Sequence, residues 1–203
     1  MSDLRSRQKL QRRKAIIEAA EALIGEKGYR NTSIEEIAEK AGVGPATVYN
    51  YFGSKSELII YIFHGETETF LKNGRSILDC PPESAEEGVI RLFEAYFSDF
   101  TERYSRKLIR EVFVAVLVEQ LSVRRLFMRL DYALMAQLEE LLEAYRSSGR
   151  IRDDFDTADI TFIIYSVIMT NLTAFFVDDD MSPGAFFESL RRYISIAFRG
   201  FTR

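Results

Sequence analysis

The sequence predicts an all-α protein of about nine helices, and three observations carry that prediction. Apolar residues recur at spacings of three and four, not two; Leu126, Leu130, Leu134, Leu138, Leu141 and Tyr145 form one such stripe. Proline occurs only at positions 45, 81, 82 and 183, so residues 83–182 are free of the strongest helix breaker. Capping residues and glycines fall where the apolar stripes begin and end. The 203 residues are 47% hydrophobic, which fits one large globular domain or two small ones.

The first helix is expected from about Lys9 to Glu26, on the stripe Ala15, Ile16, Ala19, Ala20, Leu23 and Ile24, with Gly28 stopping it. The second starts at Ser33, because Ser33 and Glu36 have capping-box spacing. Ile34, Ile37, Ala38 and Ala41 face inward, and Gly42-Val43-Gly44 makes a tight connection. The third is short, from Pro45 to Tyr51: proline suits the first helical position, and Gly53 ends the helix. Ser54 and Glu57 make a second capping box, so the fourth helix runs from Lys55 to about Leu78, where Cys80-Pro81-Pro82 breaks the chain. Later helices are expected at roughly 84–103, 105–120, 122–147, 157–178 and 183–200.

Charge is unevenly shared. The chain has 27 Lys and Arg against 31 Asp and Glu, net −4, yet residues 1–56 hold ten basic and seven acidic side chains. Six of those basic residues (Arg5, Arg7, Lys9, Arg12, Arg13, Lys14) crowd the first 14 positions. A basic end on an acidic protein suits a polyanion bound at that end, or merely a solvated tail. Two short helices joined by a Gly-Val-Gly turn behind a longer one form the helix-turn-helix pattern, whose second short helix enters the DNA major groove. In the third helix Val48 and Phe52 can pack inward, which leaves Ala46, Thr47, Asn50 and Tyr51 facing out. No acid occurs between Glu39 and Glu57.

Two segments carry a resemblance. Thr32-Ser33-Ile34-Glu35-Glu36-Ile37-Ala38-Glu39-Lys40-Ala41-Gly42-Val43 and Thr47-Val48-Tyr49-Asn50-Tyr51-Phe52-Gly53-Ser54-Lys55-Ser56-Glu57-Leu58 resemble the DNA-binding signature of the tetracycline-repressor (TetR) family of transcriptional regulators. The resemblance covers roughly residues 10–63. It implies a helix-turn-helix DNA-binding domain with a basic arm at 1–54. It implies an effector-binding and dimerisation domain at 55–203, with helix 4 (55–78) joining the two. The implied partners are double-stranded DNA, a second copy of the chain and a small-molecule effector. By the same resemblance Ser33, Thr47, Tyr49, Tyr51 and Lys55 contact DNA, and the outward face of the third helix adds Pro45, Ala46 and Asn50 as candidate DNA-binding residues. Gly44-Pro45 stands where many members carry Ser-Lys or Ser-Arg, so apolar contact to a thymine methyl replaces hydrogen bonds there, and Asn50 becomes the best hydrogen-bonding reader. Tyr49 either meets DNA or packs on the first helix.

In the C-terminal part, aromatics at helical spacing are either plain core or effector-pocket lining. Pocket candidates are Phe93, Tyr96, Phe97, Phe100, Phe113, Leu117, Phe127, Tyr165 and Met169, with Tyr96, Tyr165, Thr170 and Asn171 as polar anchors for a hydrophobic or amphipathic ligand. The resemblance implies a four-helix dimer seam from the last two helices, with candidates Ile164, Ile168, Phe175, Phe187, Leu190, Tyr193, Ile194 and Phe198.

Other classes are disfavoured. There is one cysteine, Cys80, so no internal disulfide, and one histidine, His64, so no histidine metal cluster. No Gly-rich phosphate loop or G-x-S-x-G elbow occurs, which argues against an enzyme, and no cofactor or metal is expected. A lipid-carrying or interaction module without DNA binding is the other rival; the N-terminal motif argues against it. Residues 160–177 carry no charge, but Thr161, Ser166, Thr170, Asn171 and Thr173 interrupt them and acids flank them, which reads as a buried helix rather than a membrane span. Asp178-Asp179-Asp180 reads as a solvated loop rather than a cation site. The charged N-terminus lacks a signal-peptide core, so a cytoplasmic protein without membrane attachment is expected.

Overall fold

A computed structural model describes the backbone of residues 2–103, 105–118 and 121–201, without the side chains of 2–5, 63–66, 99–103, 112, 114–118, 121–124, 126, 127 and 201. Among the described residues the chain is nine helices: α1 (Ser2–Lys27), α2 (Ile34–Lys40), α3 (Pro45–Phe52), α4 (Lys55–Asp79), α5 (Ala85–Arg103), α6 (Arg106–Val118), α7 (Leu121–Ser147), α8 (Thr157–Val177) and α9 (Pro183–Phe201). They fall into two compact units. The first is Met1–Glu66 with Lys107–Met128, the second Thr67–Arg106 with Arg129–Arg203. α4 and α7 each contribute to both.

In the first unit Ile16, Ala20 and Ile24 of α1 are buried, as are Ile37 and Ala38 of α2, Val48 and Phe52 of α3, Leu58 and Ile59 of α4 and Ile109 of α6. α2 begins as its capping box requires: Ser33 Oγ accepts the Glu36 N–H at 3.2 Å, and the Glu36 carboxylate accepts the Ser33 N–H at 2.8 Å. Glu36 is also paired with Lys27. That pair and the Ser33 bonds hold its carboxyl at about 2, well below the usual range. The second expected box forms only by half. Ser54 Oγ accepts the Glu57 N–H at 3.0 Å, while the Ser54 N–H goes to Phe52 O at 2.8 Å. Gly53 closes α3 at φ +72, a left-handed conformation that favours glycine.

Two features of this unit differ from the sequence reading. α1 starts at Ser2, not near Lys9, so the described part of the basic arm is the helix's own first turns; nothing in those residues breaks a helix, but they carry no apolar stripe to announce one. And α6, which the sequence reading places with the C-terminal part, groups with the first unit. Its polar face explains why: Lys107 Nζ donates to Glu26 O at 2.8 Å, at the carbonyl end of α1, and the Glu111 carboxylate accepts the Tyr29 N–H at 2.9 Å.

The second unit is built on α5, packed against α9, and on α8, packed against α9. Arg191 of α9 meets Glu94 of α5 at 2.6 Å. Asn171 of α8 accepts from Ser189 Oγ of α9 at 2.8 Å. Phe175 packs at a tilt against Phe186, ring centres 5.0 Å apart, and the Arg106 guanidinium covers Phe175 at 4.2 Å while donating to Asp178 O. Tyr96 of α5 donates to Gln137 Oε1 of α7 at 2.6 Å, and Gln137 donates to Leu71 O of α4 at 3.0 Å, over the bare face of Gly74. α8 alone among the described helices has the length and hydropathy to cross a membrane. Its buried side, which includes Ile160, Ile164, Ile168, Leu172 and Phe175, is the core strip of this unit.

Candidate nucleic-acid interface

α3 is held from below and open above. Val48 and Phe52, four residues apart, are 1% and 2% exposed and anchor the helix. Pro45, Ala46, Tyr49 and Asn50 are exposed, and Thr47 and Tyr51 are half-buried. Tyr49 keeps 49% of its surface exposed. Gly44 caps α3 without a side chain, so the Gly44-Pro45 entry offers no side-chain donor. No acidic residue lies in the first turn of α3. The resulting surface is small, polar and free of repulsive charge, the shape and chemistry a major groove accepts.

The supports of that surface are also polar. Tyr29, in the α1–α2 turn, is a hub: its N–H is taken by Glu111, its hydroxyl lies 3.1 Å from Ser56 Oγ, and its carbonyl accepts from Lys55 Nζ at 2.8 Å. Lys55 also donates to Thr32 O at 2.8 Å, and its ammonium lies 4.2 Å from the centre of the Tyr29 ring. The sequence reading assigns Lys55 to phosphate; the structure gives its ammonium an internal role as well. Arg13, read from sequence as part of a free arm, lies over the Tyr61 ring at 4.7 Å and so ties α1 to α4. Arg7, Lys9, Arg12 and Lys14 are exposed. Ser33 is half-buried and its side chain serves the cap.

Residues 16–62 match the family model described as bacterial regulatory proteins, tetR family. Those residues are thus a TetR-type DNA-binding segment. The chain is similar to the fatty acid metabolism regulator protein of Bacillus subtilis (strain 168), 23% identical over 164 residues, which are 81% of this chain and 83% of that one. It is 49% identical over 49 residues to the HTH-type transcriptional regulator BetI of Rhizobium meliloti, a match spanning 24% of each chain. Among solved structures, the transcriptional regulator FadR from Bacillus subtilis in complex with stearoyl-CoA superposes with a TM-score of 0.76. That match has 21% identity and covers 92% of this chain and 98% of that one. The structural match shows that the chain shares the fold of that regulator, and the family match places a tetR-type regulatory segment at residues 16–62.

The residues expected to line an effector pocket divide. Phe93, Tyr96, Phe97 and Tyr165 are buried in the second unit, with Met169 half-buried beside them on α8. Phe93 and Tyr96 meet edge-on at 5.3 Å. Phe113 belongs to the first unit. Phe100, Leu117 and Phe127, with His64, have side chains outside the described residues. The expected anchors are already engaged: Tyr96 by Gln137, Tyr165 by Asp131 at 2.7 Å, Asn171 by Ser189 and Thr170 by the Ser166 carbonyl. Burial raises the hydroxyls of Tyr96 and Tyr165 far above the usual tyrosine range.

The dimer-seam candidates need correction. Ile164, Ile168, Phe175, Leu190, Ile194 and Phe198 are buried in the subunit's own core, and Phe187 is half-buried, so of the eight only Tyr193 is exposed. The opposite faces of α8 and α9 carry the open apolar surface: Phe162, Ile163, Val177 and Ile196, 45–66% exposed. α8 is apolar on all sides, so its sequence does not say which side turns inward. Beside these residues an open groove of about 520 Å³ runs between α8 and α9, lined by Ser166, Thr170, Ala174, Met181, Arg192 and Tyr193 among others. Two of the expected polar anchors, Thr170 and Asn171, line it, and none of the other pocket candidates does.

Proposed function

We propose that this chain is a homodimeric repressor of the TetR family. It reads a palindromic operator with α3 and leaves it when a small hydrophobic or amphipathic effector binds the C-terminal part. Residues 1–54 bind DNA, residues 55–203 bind effector and dimerise, and α4 couples the two. The observation that carries the reading is the exposed, acid-free face of α3 over its buried Val48–Phe52 anchor. On that face Asn50 hydrogen-bonds a base edge, Pro45 and Ala46 meet a thymine methyl, and Thr47, Tyr49 and Tyr51 hold phosphate and sugar, with Ser33 and Lys55 beside them. The exposed Phe162, Ile163, Val177, Tyr193 and Ile196 support the dimer, because a patch of this kind is commonly closed by a two-fold copy. The aromatic interior of the second unit supports an apolar effector, as the stearoyl-CoA in the FadR neighbour does for that protein. A DNA-bound repressor of this type works in the bacterial cytoplasm.

The test is selection of duplexes from a random DNA pool by purified protein at about 0.15 M salt. The expected product is a palindrome whose half-sites lie about one helical turn, roughly 34 Å, or a multiple apart. Recovery of no sequence, both directly and after denaturing and refolding to strip any carried ligand, would refute the reading.

A further inference from the structure

We propose that Asp131, with Tyr165 and Thr161, is a cation-accepting anchor, and that the effector of this chain is an amphiphile whose polar end is an organic ammonium. The inference rests on the reading that the C-terminal part binds an effector, and names the chemistry it selects.

Asp131 sits on α7, half-buried, and its Oδ1 accepts the Tyr165 hydroxyl of α8 at 2.7 Å. Among the described residues no lysine or arginine pairs with it, whereas Glu87, Glu94 and Glu140 of the same unit each meet an arginine. Burial pushes the Asp131 carboxyl up, and the Tyr165 bond only partly offsets this. A carboxylate held in such a place without a counter-charge is costly, and a cation that completes it recovers the loss.

A second polar group lies on the same face. Thr161 is one turn before Tyr165 on α8, 1% exposed, and its hydroxyl has no hydrogen-bond partner among the described residues. Other α8 hydroxyls behave differently: Thr170 and Thr173 donate to the carbonyl four residues back, at 2.8 and 2.7 Å. An orphaned buried hydroxyl is unusual enough to need a reason.

The surroundings favour a soft cation. The Tyr165 ring lies 6.5 Å from Phe93, and the aromatic run continues through Tyr96 and Phe97. Ring faces attract ammonium groups. One carboxylate with hydroxyls and rings is too few hard ligands for a metal, and no cluster of three or more metal-binding side chains occurs among the described residues. An anionic head group would find no buried counter-charge, because no described lysine or arginine of the second unit is buried. The half-buried Arg106 is committed to backbone carbonyls and to Phe175. The neighbouring Tyr96–Gln137–Leu71 chain is neutral and closed, and asks for nothing.

The test is a charge ladder on the full chain: decyltrimethylammonium, decanoate and decan-1-ol, each below its micelle-forming concentration, titrated calorimetrically. Wild type is expected to bind the ammonium about tenfold or more tighter than the other two. Asp131→Asn is expected to lose about tenfold or more for the ammonium and to leave decanol binding unchanged. Tyr165→Phe, which keeps the charge, retains the preference for ammonium over decanoate. Should the variants not fold, the wild-type ladder decides alone. Decanoate binding as tightly as the ammonium, no binding of any probe, or an Asp131→Asn protein that still prefers the ammonium would overturn the proposal. Binding of the selected duplex is measured in parallel. Retained DNA binding with a failed ladder overturns this inference only; absent DNA binding overturns the regulator reading itself.

Discussion

Replacing Gly74 by alanine sets two known effects against each other, and the structure says which wins. Gly74 lies inside α4, where alanine is ordinarily better than glycine by about 0.5–1 kcal/mol. A Cβ at this position would fall 2.4 Å from Gln137 Oε1, 2.5 Å from Tyr96 Cε1 and 2.9 Å from Leu92 Cδ1. Leu92 and Tyr96 are fully buried, and Gln137 is held between Tyr96 and the Leu71 carbonyl, so none of the three has a free direction in which to retreat. Overpacking a core costs about 1–3 kcal/mol. Displacing Gln137 also strips a buried tyrosine hydroxyl of its acceptor, worth about 1–3 kcal/mol more. The net effect of Gly74→Ala is a loss of about 3 kcal/mol. Gly25→Ala is the control: Gly25 is in α1 and a Cβ there meets nothing within 4 Å, so the same substitution gains about 0.5–1 kcal/mol. Urea unfolding at one fixed protein concentration reads both as shifts of the midpoint at unchanged slope. The expected shifts have opposite signs. A Gly74→Ala midpoint at or above wild type would show that the α4–α5–α7 contact is looser than described and would refute the reasoning.

Three further outcomes follow from particular contacts. Lys55→Ala is expected to weaken DNA binding and also to destabilise the protein by about 1–3 kcal/mol, because the Tyr29 and Thr32 carbonyls lose their donor; an unchanged unfolding midpoint with weakened DNA binding would leave Lys55 only a phosphate contact. The Glu36 carboxyl is depressed from about 4.5 to about 2, so its capping and pairing stabilise fully above the higher value and fade as pH falls through the lower one. Unfolding midpoints measured between pH 5 and pH 2 should therefore fall more steeply for wild type than for Glu36→Gln, and parallel curves would contradict this. Tyr193→Glu with Ile196→Glu should turn a sedimenting dimer into a folded monomer without loss of helicity, since both side chains are exposed; Ile194→Glu, on the buried side, should instead unfold the chain.

What the sequence made legible follows from where information is local. Helix ends are local: Ser33, Pro45, Gly53 and the Pro81-Pro82 break each set a backbone condition within a few residues, and the observed helices begin and end there. The start of α1 was missed because residues 2–8 have neither a breaker nor an apolar stripe, and periodicity is blind to a solvated helix. The inward side of α8 was illegible for the opposite reason. With apolar residues on every side, the phase is set by what α9 offers, and the isoleucines at 164 and 168 went to the core while Phe162 and Ile163 stayed out. The internal work of Lys55 depends on two carbonyls more than twenty residues away, which no local pattern reports. Asp131 did leave a trace. It is the one acid in the stretch from Leu126 to Leu138, three residues before the buried Leu134 and seven before the buried Leu138, so the helical period alone puts a charge on an apolar face. A charge on a hydrophobic stripe needs a polar partner, and the Tyr165 hydroxyl, 34 residues on, supplies it.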